Sequence, residues 1–144
     1  GRGQLRLCAR RVALRRGAHR FPRSDADLPT IQAKGIRLGI STHSEEELDI
    51  ALAALPDYVA LGPVYETRLK AMKWAPQGLD RLRQWKRRIG TLPLVAIGGL
   101  TPVRADGVRA AGADSLAVIT DIFAHPDPQA RTSEWLVWAE RCRP

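Results

Sequence analysis

Residues 92–102 read LPLVAIGGLTP. Leu92, Leu94, Val95, Ala96 and Ile97 form a short apolar run, which predicts a buried strand. The run stops at Gly98-Gly99, and Thr101-Pro102 then reads as a helix N-cap with proline at the first helical position. A strand that passes through glycines straight into a helix is a βα unit, and the unit recurs along the chain. IRLGIS (36–41) predicts a strand, after which Ser44 opens the helix SEEELDIALAAL, a capping box with Glu47. Leu48, Ala51, Leu52 and Leu55 give that helix its apolar stripe. DYVALGPVY (57–65) predicts the second strand, followed by the helix GLDRLRQWKRRIG, with Leu79, Leu82 and Trp85 on one face and Gly90 as C-cap. SLAVITDIF (115–123) predicts the fourth strand. Asp127-Pro128 opens the last helix, whose Trp135, Leu136 and Trp138 are expected to cover the sheet. Ahead of all this, ADLPTIQAKG predicts a short helix ended by Gly35.

Strands this apolar are expected to be buried on both faces, so the sheet should be parallel and the class α/β. A doubly wound sheet and a (β/α)8 barrel both fit. Four units supply half of such a barrel, since a whole one needs roughly 200 residues or more.

At 144 residues the chain fits one domain. No apolar run nears the roughly 18 residues that span a bilayer, and no signal-peptide pattern is present, so no membrane partner is expected. Cys8 and Cys142 sit far apart without metal-type spacing, which fits two reduced thiols and a cytoplasmic protein. The net charge of +8 is uneven. Residues 1–23 hold eight arginines and no acid, whereas residues 24–144 hold 15 basic and 15 acidic residues. The basicity therefore belongs to a segment. Without interleaved aromatics or a reading motif, it does not argue for nucleic acid.

Ligands of parallel α/β folds gather at the carboxyl ends of the strands. Those ends should present Ser41-Thr42-His43, the loop from Gly62, Gly98-Gly99 and Ile119-Thr120-Asp121. Gly99 has no Cβ, so an anion could approach the backbone N–H groups there, beside the positive end of the helix opening at Thr101. Thr120 on the adjacent strand could add a hydroxyl. The alternative is that Gly-Gly is only a tight turn. In the long loop after the second strand, Arg68 and Lys70 are cations and Thr67 is a hydroxyl donor beside the same pocket, unless the loop is simply solvated. Ser41 suits a hydrogen bond to an oxyanion. A Ser41–His43 nucleophile pair is disfavoured, because no acid is evident to orient the imidazole.

RLGISTHSEEEL, PDYVALGPVYETRLK, APQGL, PLVAIGGL and AGADSLAVITDI, in that order, closely resemble thiamine-phosphate synthase. The resemblance implies a (β/α)8 barrel that joins hydroxymethylpyrimidine diphosphate to thiazole phosphate with Mg2+, releasing pyrophosphate. It implies that Ser41 and Lys70 contact the diphosphate. It also implies that Thr67, Arg68, Leu69, Gly99, Ile119 and Thr120 hold the thiazole phosphate. The related thiazole tautomerases carry a catalytic His where this chain has Pro63, which favours the synthase. The family's magnesium carboxylates and much of its pyrimidine site belong to a first half without counterpart here, so no catalytic or metal residue is assigned. Residues 26–144 are expected to be the C-terminal part of the barrel. Residues 1–25 are an atypical Arg-rich segment, read as an out-of-frame translation. A nucleotide sequence whose shifted frame encodes no such family segment would overturn that reading. Open sheet edges and an open apolar face would favour self-association.

Overall fold

The computed structural model describes residues 27–67 and 74–142; the Arg-rich segment 1–25, with Cys8, lies outside the described residues. The chain runs α1 (Leu28–Ala33), β1 (Gly39–Thr42), α2 (Glu45–Ala53), β2 (Tyr58–Leu61), α3 (Gly78–Ile89), β3 (Leu94–Ile97), α4 (Pro102–Ala110), β4 (Ser115–Ala117), α5 (Thr120–Phe123) and α6 (Pro128–Arg141). All strands are parallel, in the order β1-β2-β3-β4. A doubly wound sheet reverses its order at a switch point, whereas a barrel adds each strand beside the last. The sequential order is that of a four-strand arc of a (β/α)8 barrel.

Local chemistry sets most boundaries. Asp27 caps α1 and Asp127 caps α6, each carboxylate accepting the backbone N–H three residues on, and each helix has proline in its first turn. Ser44 caps α2 by accepting from Glu47 N. The expected capping box is displaced, however: Glu47 Oε2 accepts the His43 N–H at 2.7 Å. Gly90 ends α3 with φ +62° and Gly35 follows α1 with φ +63°, conformations that favour glycine. At the amino ends of the strands two aspartates do matching work. Asp57, just before β2, accepts the Leu38 N–H at 2.6 Å, and Asp114, just before β4, accepts the Leu94 N–H at 2.8 Å.

The core lies between the sheet and its helices. Val59, Leu61, Leu94 and Ala96 point to the helical side and are fully buried, meeting Leu48, Leu82, Trp85 and Val108. Each of these buried valines and leucines stabilises the fold by about 1.5–3 kcal/mol. The one buried polar side chain there, Thr42, is satisfied twice. Its hydroxyl donates to Ala60 O at 2.8 Å and accepts from Trp85 Nε1 at 2.8 Å, tying α3 to β1 and β2. Trp135 and Trp138 of α6 are buried as an edge-to-face pair, 5.7 Å between centroids.

Three expectations are corrected. Not every strand is buried on both faces: β2 is, with Val59, Ala60 and Leu61 all buried, but β1 alternates exposed and buried and β3 alternates buried and half-buried. The helix side is the more fully packed, and on the other face Ala60 is buried while Ser41 is exposed. Leu136 does not cover the sheet but is 54% exposed, one residue off the stripe of Trp135 and Trp138. The fourth strand ends at Ala117, and Thr120–Phe123 is helical. In register, Ala117 faces Ile97, the last residue of β3. Beyond it β3 turns away at Gly98, so residues 118–123 have no ladder to join.

Candidate functional site

The carboxyl ends of β1 to β4 share one edge of the sheet. Ser41 lies on the open face, exposed, with its backbone in register with Ala60 of β2. Neighbouring strands are about 4.8 Å apart, so β1 lies about 10 Å from β3 and about 14 Å from β4 along the sheet. Ser41 on β1 and the end of β4 are therefore set apart, with β2 and β3 between them.

Between them the backbone is laced together past the strand ends. Val64 N donates to Ile97 O at 2.9 Å and Tyr65 N to Gly98 O at 3.1 Å, continuing the parallel pairing of β2 with β3. The far end of the same loop returns to its start, Gln77 N donating to Pro63 O at 2.8 Å and Gly78 N to Val64 O at 2.9 Å. The Gly62-Pro63 peptide in this turn is cis. Thr67 is half-buried. Arg68, Leu69 and Lys70 lie outside the described residues.

Three glycines make the lacing possible. A Cβ at Gly62 would lie 2.7 Å from Ile97 O, one at Gly98 would lie 2.6 Å from Pro63 Cα, and one at Gly99 would lie 2.5 Å from Glu66 O. Gly98 and Gly99 also have φ of +98° and +64°. This revises the role expected of Gly99. The space beside its Cα is filled by the preceding loop, so an anion would meet the amide edge of the turn and not a gap left by the missing side chain. Leu100, 3% exposed, anchors the turn from below.

Arg104, in the first turn of α4, braces the turn from outside. It donates to Gly99 O at 2.7 Å, and its guanidinium lies 4.4 Å from the centroid of the Tyr65 ring. Sequence reasoning gave this arginine no role. The available signal was a cation in the first turn of a helix, where the dipole opposes it. Opposite, Ile119 is 51% exposed just ahead of α5, and Thr120 is the first residue of that helix, not a strand end. Gly99 and Thr120 still share the carboxyl end of adjacent strands, and Ser41 stands apart on β1.

Asp121 secures this side. It accepts from Arg131 Nε at 2.9 Å and Nη2 at 3.0 Å, and from Trp135 Nε1 at 2.8 Å. Burial alone would raise its carboxyl, but the Arg131 and Trp135 hydrogen bonds outweigh burial and hold it below the ordinary aspartate value. At the other end, His43 Nδ1 lies 2.8 Å from Glu47 Oε2, and its ring stacks on Trp74 with centroids 5.3 Å apart. An orienting acid thus exists after all. It came into view only because Glu47, one helical turn on, folds back over the strand end. Among the described residues no three of His, Cys, Asp and Glu converge as metal ligands. Glu47 and Asp121 are engaged as above, and Glu66 in the loop against Gly99 is a single exposed carboxylate, so the described residues do not fit a Mg2+ site.

A family model described as thiamine monophosphate synthase matches residues 12–122. The thiamine-phosphate synthase of Rhizobium etli is 62% identical over 111 residues, 77% of this chain and 54% of that protein. That of Escherichia coli O6:H1 is 47% identical over 110 residues, 76% of this chain and 52% of that protein. Among solved structures, a thiamine phosphate pyrophosphorylase from Pyrococcus furiosus has a TM-score of 0.68 at 28% identity, covering 83% of this chain and 57% of that one. The chain spans about half the length of the curated relatives it matches.

Proposed function

Because the chain belongs to the thiamine monophosphate synthase family, we propose that it carries the thiazole-phosphate side of that family's condensation. In that reaction thiazole phosphate is joined to hydroxymethylpyrimidine diphosphate and pyrophosphate leaves. The observation that carries the reading is the lacing of Tyr65 N to Gly98 O, which sets an amide-edged turn at the end of β3, beside the strand that leads on into Thr120. Such a turn needs no side-chain acid or base. Its work is to hold a phosphate and so present the thiazole nitrogen for attack. Thr67, Arg68, Leu69, Gly99, Ile119 and Thr120 would surround that phosphate. Ser41, about 10 Å away along the sheet, and Lys70 would receive the diphosphate.

Mg2+ accompanies the diphosphate in this proposal, but with no fitting ligand set among the described residues no step is routed through it. That gap favours a second reading, a phosphate-binding chain without turnover. The balanced charge of residues 24–144 supports small anionic substrates over nucleic acid. The open sheet face supports self-association. No helix among the described residues is long and apolar enough to cross a membrane.

The condensation assay, run with both precursors and saturating Mg2+ on this chain, separates the two readings. Little or no turnover is expected, together with retained thiazole phosphate binding. Robust turnover would show that residues such as Asp25 supply the metal site and would overturn the second reading. Absence of both turnover and binding would contradict the first.

A further inference from the structure

We propose that Arg104 is a positioning residue for the anion site, aiming the Gly99–Leu100 amide at the bound phosphate. A peptide unit is planar and trans, so its C=O and the following N–H point in opposite directions. Whatever holds Gly98 O and Gly99 O therefore directs the N–H groups of Gly99 and Leu100. Tyr65 N holds the first at 3.1 Å and Arg104 holds the second at 2.7 Å. Tyr65 belongs to the β2 loop and Arg104 to α4, so each amide is turned away from the element that holds its carbonyl.

Without such holds this segment would be free to reorient. Two consecutive glycines at φ +98° and +64° have access to either sign of φ. The Leu100 side chain is buried, but burial of a side chain does not fix the plane of the peptide before it. Arg104 is suited to the task because it is itself held. Its planar guanidinium rests 4.4 Å from the Tyr65 ring centroid while one N–H reaches Gly99 O, a pairing of stack and directed bond that an ammonium cannot reproduce. The α4 dipole disfavours a cation in that first turn, and the brace accounts for its presence. The inference rests on the reading that phosphate meets this turn, and its test is arranged so that each can fail separately.

The first arm uses no ligand. Amide NMR of the full chain is compared with Arg104→Ala, Arg104→Lys and Tyr65→Leu. The Leu100 and Gly99 amide resonances should move or broaden in all three, while the melting temperature stays near that of the parent. Unmoved resonances in Arg104→Ala overturn the proposal. The second arm titrates thiazole phosphate by calorimetry. Arg104→Ala should weaken binding about tenfold, the loss expected when amides bonded to a charged acceptor are misaimed. Arg104→Lys should fail to restore affinity, and Tyr65→Leu should weaken it as well. Full rescue by lysine with a silent Tyr65→Leu would mean direct charge contact with phosphate and overturn the positioning role. If the parent chain binds no thiazole phosphate while the amide shifts occur, the functional reading fails and the brace stands.

Discussion

A methyl group at position 62 would lie 2.6 Å from Ile97 Cγ2 and 2.7 Å from Ile97 O, closer than packed atoms tolerate. Gly62 is therefore a test of the lacing that needs no positive φ for its explanation. Gly62→Ala should part Val64 N from Ile97 O and destabilise the fold by about 1–3 kcal/mol, the usual range for overpacking. Urea unfolding checks this, and an unchanged midpoint would mean that the strand ends tolerate separation. The same geometry explains what was unreadable at this scale. Gly98-Gly99 was visible as a turn next to a helix start. The reason for the glycines was not, because the atoms that crowd them, in Pro63, Tyr65 and Glu66, are more than thirty positions away in sequence. Arg104 stayed hidden for a similar reason: its partners are a carbonyl and a ring that only the fold brings to it.

Among the elements, the join between α5 and α6 carries a pH-dependent contact. Asp121 is bound by Arg131 and Trp135 and its carboxyl is held below the ordinary value. A carboxyl depressed in the folded state contributes stability that is fully present above the unfolded value of about 3.9 and is lost as pH falls through the lower native value. Acid titration of Trp135 fluorescence should accordingly show the α5–α6 join holding at pH 5 and releasing below about pH 4. In Asp121→Asn that acid step should vanish and the neutral-pH stability should fall; an unaltered acid step would refute the assignment. Helix starts at Ser44, Pro102 and Asp127 were legible in the sequence, because caps act within a few residues. The end of β4 was not. SLAVITDIF runs apolar from Leu116 to Ile119, and its strand stops at Ala117 because the neighbouring strand ends at Ile97.

At the level of the whole molecule, composition and repetition revealed a parallel α/β chain but left two architectures open. The strand order decided between them, since order is a property of long-range pairing and not of any one segment. The resulting arc has a packed helical side and an open face that carries Ser41. It spans about half the length of the curated relatives it matches, and the phosphate site proposed at the carboxyl end of the arc is what this chain is asked to supply by itself. Calorimetric titration of the chain with thiazole phosphate, beside Thr120→Val and Thr120→Ser, tests that claim most directly. The account predicts saturable binding that weakens about tenfold in Thr120→Val, where a hydroxyl bonded to a charged acceptor is lost, and is kept in Thr120→Ser. Absence of binding by the parent chain, or equal affinity in Thr120→Val, would contradict it.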